Sequence, residues 1–184
     1  MPKNILLDAK GFLKITHFST ARYYTIPIPP FTPCDIDVTY KSPECLLKAE
    51  RYGPPSDLWS VGCVIAQMVT PERVPIFNGD SQIDQIAKIY QILGTPDDSV
   101  WDEFSLLDSI PNIDSYTKKN LVDFIAEPYS KDDNLIDLLE KLFIYDPSKR
   151  ISAEEAINHP FFNEIHPNLR AFCCGTAGQG NSAN

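Results

Sequence analysis

Few side chains in this 184-residue sequence have both the type and the neighbours to do chemistry. His17 is one of three histidines, and its imidazole could ligate a soft metal or carry a proton near neutral pH. No second His or Cys lies close to it in sequence, so on its own it reads as a loop histidine. The five cysteines, Cys34, Cys45, Cys63, Cys173 and Cys174, are odd in number and lack the paired Cys-x-x-Cys spacing of a zinc site. They read as reduced thiols, and Cys173 and Cys174, with further residues after them, as ordinary cysteines rather than a lipidation or redox pair. No Gly-x-Gly-x-x-Gly occurs anywhere in these residues, so no glycine loop that would cradle phosphates is encoded in them.

Composition narrows what such side chains could serve. A chain with 43% hydrophobic residues can bury one core, and one globular domain is the expectation. Lys and Arg total 16 against 25 Asp and Glu, a net charge of -9, which opposes nonspecific binding to nucleic acid or to an anionic membrane surface. A protein partner fits better. Residues 1–15 carry only short apolar runs broken by Asp8, Lys10 and Lys14, without the continuous core of a signal peptide. The apolar segment from Val61 to Val69 is far too short to span a bilayer. The expectation is a soluble, intracellular protein of cytoplasm or nucleus.

The elements that must position these residues follow from periodicity. Ile5-Leu6-Leu7 and Phe12-Leu13-Lys14-Ile15 read as strands of a hairpin, joined by the turn-type Asp8-Ala9-Lys10-Gly11. From Tyr23 to Pro55 the prolines at 27, 29, 30 and 33 forbid a helix and predict one long loop. Ser56 can cap a helix through Thr70 whose apolar residues go all the way round, and a helix without a wet face is a buried one. A second helix, Ser81 to Leu93, carries Ile83, Ile86, Ile89, Tyr90 and Leu93 as a stripe and stops at Gly94 and Pro96. A third is predicted over 134–144. A fourth opens on the capping box of Ser152 and Glu155 and ends before Pro160. The fold class is therefore mainly α: a helical bundle around a buried central helix, with a short N-terminal β-hairpin. After Phe172 apolar content falls away, so residues 166–184 are expected to be a disordered tail.

Five segments, in one order, resemble the C-terminal lobe of eukaryotic protein kinases: residues 2–7 with Asn4, the stretch from Lys14 to Arg22, Ser42-Pro43-Glu44, residues 57–62 from Asp57 to Gly62, and residues 146–150 from Asp146 to Arg150. Residues 77–85, and Leu93-Gly94-Thr95-Pro96 with Trp101, look like the cyclin-dependent branch in particular. The resemblance covers residues 1–165 and divides them into hairpin and start of the activation segment (1–22), activation segment and following loop (23–55), and helical subdomain (56–165). It implies a partial kinase domain whose N-terminal lobe is absent from this sequence.

In that family ATP and magnesium are the cofactors, and a catalytic-loop aspartate and asparagine flank the reaction. The resemblance places Asn4 on the magnesium-binding asparagine and Leu6 on the floor of the adenine pocket, where a hairpin leucine would be buried in any case. The catalytic aspartate would lie before Met1. Where the family has Asp-Phe-Gly this chain has His17-Phe18-Ser19, which exchanges a hard carboxylate for an imidazole. Thr32 aligns with the phosphorylated threonine of cyclin-dependent kinases, and Arg22 with one of the arginines that hold that phosphate. Asp37 and Thr39 replace a threonine and a tryptophan of the substrate platform. Glu44 and Arg150 match a buried ion pair, and Asp57 the helix-start aspartate that supports the catalytic loop.

The implied function is that of an inactive, kinase-derived binding module, with no cofactor of its own, no catalytic residue, and a cyclin-like or small regulatory subunit as partner around Gly79 to Gln85 and the activation segment. Two alternatives stand beside it: a serine/threonine kinase whose N-terminal part is missing from this sequence, and a decayed copy without function. The central helix, lacking one neighbour, is expected to expose Trp59, Val61 and Ile65 as an apolar patch.

Overall fold

The computed structural model describes residues 1–9, 11–26, 38–49, 52–102, 104–107 and 111–165. Thr32, Asp37, Cys34 and the 166–184 tail fall outside them. Two strands, β1 (Ile5–Leu7) and β2 (Leu13–Ile15), pair antiparallel with Leu6 opposite Lys14. Asp8 closes the turn, its Oδ1 accepting from the Phe12 backbone N–H at 2.9 Å. Among the described residues Leu6, Leu7, Leu13 and Ile15 are all exposed, so the expected burial of Leu6 does not occur. Two strands of three residues are too short to enclose anything by themselves.

The body is helical. The loop expected from Tyr23 to Pro55 contains a helix, α1 (Pro43–Leu46), which starts after the last of the clustered prolines because a proline is tolerated at the first helical position. The central helix α2 spans Pro55–Val69, and here the expected cap is corrected. Ser56 lies inside the helix and its hydroxyl donates to the Gly53 carbonyl at 2.8 Å, while Pro54 stands at the N-cap. Helices α3 (Gln82–Leu93), α4 (Asp133–Leu142) and α5 (Ala153–Ile157) follow. Their starts are chemical: Ser81, Asp132 and Ser152 each accept a backbone N–H of the first turn, and Ser152 with Glu155 completes the reciprocal box. Helix α3 ends at Gly94, whose φ of 84° is open to glycine at little cost.

Helix α2 is half buried rather than wrapped. Trp59, Gly62, Cys63, Ala66 and Val69 face the core, while Val61 and Met68 lie in solvent. Trp59, expected in the exposed patch, is instead the hub of the core. It stacks on Phe77 at 5.7 Å, meets Phe143 edge-on at 5.1 Å and carries the Arg150 guanidinium over its face at 5.3 Å. Aromatic pairs of this kind each add about 0.5–1.5 kcal/mol beyond the area they bury. Ile65 is half buried, and Ile83, placed on the buried stripe of α3 by its spacing, is exposed at the first turn. Gln85 takes the inward position instead.

Candidate functional site

The hairpin brings Asn4 and His17 to one end of the ribbon. Pairing of Ile5 with Ile15 leaves Asn4 opposite Thr16, whose N–H and hydroxyl both donate to the Asn4 carbonyl, at 2.9 and 3.2 Å. His17 comes next, exposed and with φ of 66°, a left-handed backbone that a residue with a Cβ adopts at a cost of roughly 1–3 kcal/mol. Phe18 and Ser19 enter a short 3-10 turn, Phe18–Thr20, with the Phe18 ring exposed. Arg22 is exposed, and its Nη1 donates to the neighbouring Ala21 carbonyl at 3.2 Å.

Magnesium tests this site by its donor chemistry. It wants hard oxygen ligands in an octahedron. Among the described residues, what the ribbon end itself offers is one carboxamide, on Asn4, and one imidazole, on His17. Among the described residues no three His, Cys, Asp or Glu side chains converge as a metal site. The donors that the described residues place at this ribbon end do not fit a magnesium–nucleotide complex.

A second constellation lies deep in the body. Arg150 and Glu44 form a two-pronged ion pair, Nη1 to Oε1 at 2.8 Å and Nη2 to Oε2 at 2.9 Å, with both side chains shut off from solvent. The remaining guanidinium donors go to the carbonyls of Ile144, Pro55 and Tyr145 at 3.0, 2.7 and 3.1 Å. Every N–H of the fork is thereby used, which offsets the desolvation of a buried cation. The pair ties α1 to the start of α2 and to the segment after α4.

Around it, polar side chains that the spacing did not single out fasten residues 39–47 to the helices. Ser60 donates to the Tyr40 carbonyl at 2.7 Å, and the Tyr40 hydroxyl donates to Gln67 Oε1 at 2.7 Å. Gln85, fully buried, accepts the Gly79 N–H at 2.7 Å and donates to the Thr39 carbonyl at 2.9 Å; Gln82 reaches the Leu46 carbonyl. A glutamine among the isoleucines of α3 was the available signal. Within the expected partner surface from Gly79 to Gln85 both ends are buried, and Asp80, Ser81 and Ile83 face solvent. Gly79 is required there, because a Cβ would come within 2.3 Å of the Gln85 backbone nitrogen.

Asp57 lies in the first turn of α2, exposed, with its N–H donating to the Pro54 carbonyl at 3.0 Å and no side-chain bond to the cap. Desolvation holds its carboxyl above the usual range, and the chain's amino group acts in the opposite direction. The thiol of Cys45 is pushed up to about 11, chiefly by burial, and burial pushes Cys63 up further, so neither is a thiolate at neutral pH. A further cluster joins Asp137, Lys141 and His159. The nearly buried His159 ring accepts the Phe161 N–H on Nδ1, which leaves Nε2 to donate to Asp137 at 2.8 Å. Among the described residues no helix is long and apolar enough to cross a membrane.

The family model for the protein kinase domain matches residues 1–162. Among curated proteins, a cyclin-dependent kinase B2-1 from Oryza sativa subsp. japonica is 40% identical over 169 residues, which cover 91% of this chain and 50% of that relative. The chain thus spans about half the length of the curated relative it matches.

Proposed function

This chain belongs to the protein kinase domain family, in its cyclin-dependent branch, and on that premise we propose that it is a catalytically silent kinase relative that works as a protein-binding module. In this reading residues 1–165 are the C-terminal lobe and the part of the fold that binds nucleotide is not encoded by these residues. The observation that carries it is the ribbon end, where Asn4 and His17 present a donor set that magnesium does not fit. Phosphoryl transfer depends almost wholly on positioning and charge stabilisation, and a family that uses ATP and magnesium loses both when the carboxylate at this position is an imidazole. The body supports the binding half of the proposal: its ion pair and aromatic hub keep a rigid surface with no catalytic group needed for it. A cyclin-like or small regulatory subunit is the partner class that the branch suggests.

Incubation of the purified chain with ATP, magnesium and a generic Ser/Thr peptide is expected to give no phosphate incorporation above buffer, and His17→Asp with Ser19→Gly is expected not to restore it. Incorporation by the unmodified chain would overturn the proposal.

One observation favours a second reading, an ATP-dependent serine/threonine kinase of which these residues are one half: the chain matches about half of its relative. A transcript whose open frame runs upstream of Met1 and encodes His-Arg-Asp would select that reading.

A further inference from the structure

We draw no further inference here: the strongest candidate, the side-chain cluster of Asp137, Lys141 and the buried His159 between α4 and the turn that follows α5, holds the His159 Nε2 between the Asp137 carboxylate at 2.8 Å and the Lys141 ammonium at 3.3 Å, opposed charges that give protonation no direction on which a pH switch could rest.

Discussion

In residues 1–26, Leu6, Leu7, Leu13, Ile15 and Phe18 are each more than half exposed, whereas Leu135, Leu138, Leu139 and Leu142 in the body are at 1% or below. The residue types are the same, and the difference is a second layer. Among the described residues the hairpin is a two-stranded ribbon most of whose apolar side chains stay exposed, while α4 lays its apolar face on α2 and the aromatic hub. His17 and Ser19, which the proposed reading takes as departures from the kinase pattern, sit in the more exposed region. The buried ion pair sits in the well-packed one. In the proposed reading the altered site and the stabilising contacts therefore lie in separate parts of the chain, and a substitution in the first need not cost the second.

The sharpest way to break that division is Arg150→Ala. It leaves Glu44 buried without its partner and strips three carbonyls of their donor, so urea denaturation should show a loss of about 3–5 kcal/mol. An unchanged midpoint would mean that the body does not depend on its ion pair. Next in size is Gly79→Ala, where the new methyl meets the α3 backbone; a loss of about 1–3 kcal/mol is expected in the same measurement.

Substitutions in the ribbon should do far less. Leu6→Ala and Ile15→Ala remove exposed side chains and are expected to move stability by no more than about 0.5 kcal/mol. A loss several times larger would show that the ribbon is part of the cooperative unit after all. Smallest is the pH effect at Asp57, whose carboxyl desolvation holds above the ordinary range. A raised acid stabilises the folded chain while it is protonated, and that contribution disappears as pH rises through its folded value. Asp57→Asn should thus raise the melting temperature slightly at neutral pH, with the advantage gone once the solution is acid enough to protonate the aspartate.

Local chemistry makes some elements legible in residue order alone. A proline cluster forbids helix, a Ser-x-x-Glu box starts one at Ser152, and the Gly94 and Pro96 pair stops another. The alternation in residues 5–15 with a polar turn between gives the hairpin and its register. All of these act within a few residues, through backbone dihedrals and hydrogen bonds that neighbours in sequence supply. The resemblance to kinases rests on short motifs of the same kind, and family membership follows from them.

Burial is not legible in that way, because it depends on what lies across space. Leu6 and Trp59 are both apolar residues in regular elements, yet one is exposed and the other fully enclosed. Only the approach of Phe77, Phe143 and Arg150 to Trp59 makes that difference, over sequence separations that periodicity does not see. Gln85 likewise reads as part of an outer surface unless Gly79 and Thr39 are close enough to satisfy its amide, as they are in the fold. Residue order by itself therefore determined where elements start, stop and turn, and which family wrote them. Tertiary structure decided which side of α2 faces the core and which polar side chains find partners in distant segments, since those are properties of distances between segments and not of any segment alone.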